Sequence, residues 1–245
     1  MTSRSLKEKL IVALDVERAE EAREVLASLG GQVGMFKVGM QLFTSAGPQF
    51  VREIVSAGAR VFLDLKFHDI PNTVAAASRE AVRLGVSIFN LHASGGGEMM
   101  RRAAETTHET AAREGLARPH LIAVTALTSA DASTLEEVGI QASPAAHVRR
   151  LAQLAEASGL DGVVASPHEI RDLRASVARE EFLIVTPGVR PSAVAHDDQK
   201  RVTTPAEAIR AGASYIVVGR AVLNAPDRER AVAEIVEEME KASEQ

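Results

Sequence analysis

Phe62-Leu63-Asp64-Leu65-Lys66-Phe67-His68-Asp69-Ile70-Pro71-Asn72-Thr73 is a hydrophobic strand that delivers charges at its end and turns at once into a helix. Alternate side chains of a strand point to one face, so Asp64 and Lys66 are expected to project together in the row that Phe62 begins. Pro71 suits the first turn of a helix, and the apolar series Val74, Ala77, Ala81, Leu84 continues it. Asp69, or a neighbour, is placed to cap that helix. An isolated aspartate there is a cap more often than a catalyst, and an isolated Asp/Lys pair at a strand end is often a structural ion pair. The surroundings have to decide.

Outward from this stretch the same strand-then-helix unit recurs. Strand-like apolar runs lie at Leu10 to Val16, Met35 to Met40, Arg60 to Lys66, Ser87 to Ala93, His120 to Leu127, Gly162 to Ser166, Phe182 to Pro187 and Tyr215 to Arg220. Between them stand patterns with one apolar stripe at helical spacing: Ala19, Ala22, Leu26, Leu29; then Phe50, Val51, Ile54, Val55; then the helix after Pro71 and one over Met99 to Ala112. Four more follow at Val148 to Ala157, His168 to Val177, Thr204 to Ala211 and Val232 to Met239. Near-continuous apolar strands imply burial on both faces, which crossover helices supply to a parallel sheet. Eightfold alternation over 245 residues predicts an α/β fold of the closed (β/α)8, or TIM, barrel type, with residues 1–245 as one domain. Glycines at Gly30-Gly31, Gly58, Gly85, Gly159 and Gly212 sit where left-handed helix caps are needed.

Composition narrows the function. A formal net charge of -5 gives no basic field for generic nucleic-acid binding, and a chain with no Trp and one Tyr lacks stacking platforms for single strands. The site should therefore take a small molecule. The absence of cysteine removes disulfides, thiolate nucleophiles and Cys-ligated zinc. Asp15 ends the run Leu10-Ile11-Val12-Ala13-Leu14 far short of a signal or membrane segment, so no membrane is expected and the cytoplasm is the default compartment.

Active sites of such barrels lie at the C-terminal ends of the strands, and here those ends are charged: Asp15 after the first, Lys37 on the second, Asp64 and Lys66 on the third with Asp69 beyond, and Gly219-Arg220 at the eighth. Strand seven runs into Thr186-Pro187-Gly188-Val189-Arg190 and a long polar stretch through Asp198-Gln199-Lys200-Arg201, a candidate lid. Phosphate sites of many barrels follow strands seven and eight, where Arg190, Arg220 and the Gly219 amide suit an anion; the alternative for each arginine is a surface carboxylate. Thr128 and Ser129 offer either contacts to a heterocycle or a plain turn. His92 is read as a hydrogen-bonded core group and Met99-Met100 as packing. The histidines show no zinc spacing, and no dinucleotide or Walker motif is present, so neither metal nor cofactor is expected.

The run Asp64-x-Lys66-x-x-Asp69-Ile70-Pro71-Asn72-Thr73 resembles the signature of the orotidine 5'-phosphate decarboxylase family. Phe36-Lys37-Val38-Gly39, His92-Ala93-Ser94-Gly95-Gly96, Leu127-Thr128-Ser129, Pro187-Gly188-Val189-Arg190, Asp198-Gln199-Lys200-Arg201 and Val218-Gly219-Arg220 resemble that family's motifs in the same order. The resemblance implies a homodimeric barrel, needing no metal or organic cofactor, that decarboxylates orotidine monophosphate to uridine monophosphate. It implies that Asp15 and Lys37 contact the ribose, that Lys66 protonates C6 beside Asp64, and that Asp69, Ile70 and Thr73 reach the partner's site. Thr128 would contact the base, with Pro187, Arg190, Gln199, Gly219 and Arg220 around the pyrimidine edge and phosphate. A related barrel of the hexulose-phosphate synthase or keto-gulonate-phosphate decarboxylase type shares the Asp-x-Lys-x-x-Asp run but resembles a magnesium site, which an ammonium at Lys37 would repel. A non-catalytic nucleotide-binding barrel is the third reading.

Overall fold

Short, β-branched apolar runs at regular spacing form the wall of the molecule, which a computed structural model describes over residues 5–191 and 203–243. The chain alternates β1 (Leu10–Ala13), α1 (Ala19–Leu29), β2 (Met35–Gly39), α2 (Met40–Ser56), β3 (Val61–Phe67), α3 (Pro71–Arg83), β4 (Ile88–His92) and α4 (Gly96–Glu114). It continues through β5 (His120–Val124), α5 (Ala132–Glu137), α6 (Pro144–Ala157), β6 (Gly162–Val164), α7 (Ile170–Ser176), β7 (Leu183–Pro187), α8 (Pro205–Ala211), β8 (Tyr215–Val218), α9 (Arg220–Leu223) and α10 (Arg228–Ser243). Among the described residues eight strands pair in sequence order and close into a barrel, every neighbour parallel, with β8 returning to β1 through Ile11↔Val217. The expected (β/α)8 architecture is therefore the observed one.

Side-chain alternation divides the strands between two cores. Ile11, Met35, Phe62, Ile88, Ile122, Val185 and Tyr215 fill the barrel interior, while Val12, Phe36, Leu63, Phe89, Ala123 and Ile184 pack outward with the helices. Burial on both faces is what made the runs continuous in sequence. Most strands end sooner than the apolar runs suggest. β1 stops at Ala13 and β5 at Val124, although the Leu14 N–H still donates to the Lys37 carbonyl of β2 at 2.9 Å and the Thr125 N–H to the Val164 carbonyl of β6 at 3.4 Å.

Other departures are local. α2 starts ten residues before Phe50 and bends at Gly47 (φ 72°), with Pro48 opening its second half. The C-cap of α1 is Gly30, whose φ of -54° is not left-handed, and the positive φ (78°) falls on the next residue, Gly31. Asp69 does not cap α3: Ile70 is the N-cap residue, with no side-chain cap bond, and the Asp69 carboxylate instead accepts the Ile70 N–H at 2.7 Å. Pro71 supplies the start, since its missing N–H is one that the first turn leaves unpaired in any case. Met99 and Met100 are both fully buried. No helix among the described residues is long and apolar enough to cross a membrane.

Candidate active site

The C-terminal mouth of the barrel opens into a cavity of about 670 Å³ floored by Ala13, Phe62, Val124, Val164 and Val217. Apolar interior packing stops at this layer and polar side chains begin. Asp15, Lys37, Asp64, Lys66, Thr128, Pro187, Arg190, Gly219 and Arg220 all line the cavity, so nine of the residues read from the sequence are brought together there. Asp69, Ile70 and Thr73 are not in its lining. All three are exposed on their own chain, Ile70 to 67 %. Gln199 lies outside the described residues. The flanks of the long loop meet in a parallel bridge, Val189↔Thr203, with the Arg190 N–H donating to the Thr203 carbonyl.

Opposite charges alternate along the first three strands. The Lys37 ammonium lies 2.9 Å from Asp15 Oδ1 and 3.4 Å from Asp64 Oδ2, and the Lys66 ammonium lies 2.6 Å from Asp64 Oδ1. Asp64, with its side chain 14 % exposed, is the enclosed centre of this row, whereas Asp15 at 55 % faces solvent. Burial alone would raise the Asp64 carboxyl, but the Lys37 and Lys66 charges, with hydrogen bonds from Lys66 and Asn90, hold it below the ordinary carboxylate value. Gly39 leaves room for the row, since a Cβ there would stand 3.2 Å from Lys37 Nζ.

Asp64 and Lys66 do meet, but not through a regular pleat. The β3–β4 register jumps between Leu63 and Phe67, which face Phe89 and Leu91. Four steps of β3 therefore oppose two of β4, a bulge that re-aims side chains. Within it Lys66 has φ 53°, the one positive value outside glycine among the described residues. This left-handed conformation costs an L-residue about 1–2 kcal/mol. Asn90, 1 % exposed, joins the two halves of the bulge: its Oδ1 accepts the Lys66 N–H at 2.8 Å, and its Nδ2 donates to Asp64 Oδ1 at 2.7 Å. The sequence reading passed over Asn90, although a lone amide within Ile88-Phe89-Asn90-Leu91 was the available signal. Asn224 and Ala221, which also line the cavity, carry no comparable signal.

His92 is half-buried rather than a hydrogen-bonded core group. Its ring lies 5.5 Å from that of His68, tilted by 37°. Burial first, then the His68 and Lys66 charges, push its pKa down. It stands outside the cavity lining. Arg190 and Arg220 both border the cavity.

A closed parallel barrel that crowds acid, base and guanidinium groups into one mouth belongs to the class of (β/α)8 barrel enzymes. Residues 8–235 match the family model described as Orotidine 5'-phosphate decarboxylase / HUMPS family, and the chain belongs to that family. It is 52 % identical over 239 residues to an orotidine 5'-phosphate decarboxylase of Geobacter sulfurreducens, covering 98 % of this chain and 99 % of that one. Against the protein of the same name from Moorella thermoacetica it is 52 % identical over 235 residues, 96 % and 93 % of the two chains. The crystal structure of orotidine 5'-phosphate decarboxylase from Lactobacillus acidophilus superposes with a TM-score of 0.83 at 37 % identity, covering 94 % of this chain and 98 % of that one.

Proposed function

We propose that the protein, acting as one barrel over its 245 residues, decarboxylates orotidine 5'-phosphate to uridine 5'-phosphate and CO2, the last step in making that pyrimidine nucleotide. The observation that carries the reading is Lys66: its ammonium is held 2.6 Å from Asp64 inside the cavity that Arg190 and Arg220 also border. When the bond from C6 to the carboxylate breaks, the electron pair stays in an in-plane orbital that the ring cannot delocalise. A fixed cation beside C6 stabilises that developing charge. Lys66 then gives C6 a proton and regains one from water.

Asp64, kept ionised by its neighbours, orients the Lys66 ammonium and opposes the substrate's carboxylate in the ground state. Asp15 and Lys37 serve the ribose, Thr128 the base, and Pro187, Gly219, Arg190 and Arg220 the pyrimidine edge and phosphate. Gln199 joins them on the family resemblance alone. Phosphate held by forked donors supplies binding energy remote from the reacting carbon. In this reading the active form is a cytoplasmic homodimer, and Asp69, Ile70 and Thr73 of each subunit complete the site of the other. The exposure of all three at the start of α3, away from their own cavity, supports that assignment.

The magnesium-dependent alternative is disfavoured by Lys37. Its ammonium occupies the place between Asp15 and Asp64 where a hard cation would need to bridge them. The test is turnover of purified protein on orotidine 5'-phosphate, followed by the change from orotate to uracil absorbance. Turnover unaffected by EDTA is the expected result; activity abolished by chelation and restored by Mg2+ would overturn it.

A further inference from the structure

From this geometry we infer that Asn90 is a positioning residue of the reaction, holding Lys66 in the left-handed backbone conformation from which its ammonium meets Asp64. The inference rests on the decarboxylase reading for its kinetic part only. A regular parallel β3–β4 ladder would pair every residue between Leu63 and Phe67, but the register skips there and the Lys66 N–H loses its ladder carbonyl. The Asn90 side chain replaces that carbonyl with its own oxygen at 2.8 Å. A buried backbone donor without a partner is strongly disfavoured, so this bond favours the bulged form, with Lys66 at φ 53°, over a regular ladder in which the side chain would leave an extended backbone from a different position.

The second arm sets the other half of the pair. Asn90 Nδ2 and Lys66 Nζ both donate to Asp64 Oδ1, at 2.7 and 2.6 Å, which leaves Oδ2 toward Lys37 at 3.4 Å. One amide therefore fixes the carboxylate's rotation and the lysine's backbone together. No other residue type of this size combines an acceptor with a donor at those two directions: aspartate lacks the donor and would set a second carboxylate against Asp64, and leucine lacks both. Asn90 is absent from the cavity lining, so it acts through Lys66 and Asp64, not on substrate.

The experiment compares wild type with Asn90→Ala and the isosteric Asn90→Asp. It measures kcat and KM for orotidine 5'-phosphate, the affinity for uridine 5'-phosphate, the fraction of folded protein by circular dichroism, and the Lys66 backbone angle in crystals of each variant. The expected result is a kcat lowered about 100-fold, the scale of a displacement near 1 Å, with KM and product affinity within about threefold and Lys66 out of the positive-φ region in Asn90→Ala. A purely structural role would lower the folded fraction or all ligand affinities together and leave kcat per folded site unchanged. The inference is overturned by that pattern, by kcat within threefold of wild type, by Lys66 keeping its positive φ in Asn90→Ala, or by failure of both variants to fold. Wild-type protein that does not turn over orotidine 5'-phosphate would refute the decarboxylase reading alone, since the crystallographic measurement judges Asn90 without turnover.

Discussion

Replacing Asp64 by asparagine keeps the volume and removes the charge at the centre of the Lys37–Asp64–Lys66 row. At the effective dielectric that suits partly buried sites, near 20, contacts of 2.6 and 3.4 Å represent gross attractions of about 6 and about 5 kcal/mol. Most of that offsets the withdrawal of three charges from water. What remains visible on removing one partner of an enclosed pair is about 3–5 kcal/mol; here Lys66 is left partly desolvated without a counter-charge, while Lys37 keeps Asp15 at 2.9 Å. Side-chain exposures of 24 % for Lys66 and 11 % for Lys37 place this case toward the lower end. Asp64→Asn should therefore unfold about 3 kcal/mol more readily than wild type in urea, monitored by circular dichroism. Removing Lys66 as well, in Asp64→Asn/Lys66→Met, should recover part of the loss, since the stranded cation is gone. A single variant within about 1 kcal/mol of wild type, or a double variant whose losses simply add, would refute the claim that Asp64 is an electrostatic keystone.

Three further outcomes are expected. Arg220→Ala should weaken uridine 5'-phosphate by several kcal/mol through loss of a charge-assisted fork while leaving uridine affinity almost unchanged; equal losses for both would remove Arg220 from the phosphate site. At the opposite end of the barrel Asp161 takes a bidentate fork from Arg118 at 2.9 and 2.8 Å, with the Leu121 N–H at 2.8 Å. Burial opposes its ionised form, yet His120, Arg118 and the Leu121 amide hold its carboxyl at about 2, against an ordinary 3.8. A depressed carboxyl stabilises the fold above its unfolded value, so its contribution of about 2 kcal/mol is present above pH 4 and fades as pH falls toward 2. The stability gap between wild type and Asp161→Asn should close over that window, and a gap independent of pH would refute the linkage. Finally, mixing Lys66→Ala with Asp69→Ala under subunit exchange should restore roughly one quarter of wild-type activity, because half the dimers are mixed and each carries one intact site; a mixture as inactive as its parents would place Asp69 within its own subunit.

Much of this molecule is determined by its sequence alone. Apolar runs with glycine or proline at their borders specify eight strand-helix units, and burial of both strand faces leaves a closed parallel barrel as the economical solution at this length. Barrel geometry then carries Asp15, Lys37, Asp64, Lys66 and Arg220 to one mouth, because strand ends converge there whatever the loops do. Period-two reasoning also put Asp64 beside Lys66, yet it supplied the wrong cause. Only the tertiary structure shows that a register jump and a left-handed residue make the contact, since a bulge depends on how two distant strands pair and not on either strand's own pattern. The same limit hid Asn90: its two hydrogen bonds run to residues 24 and 26 positions away, and partners so distant in the chain become neighbours only when β3 and β4 lie side by side.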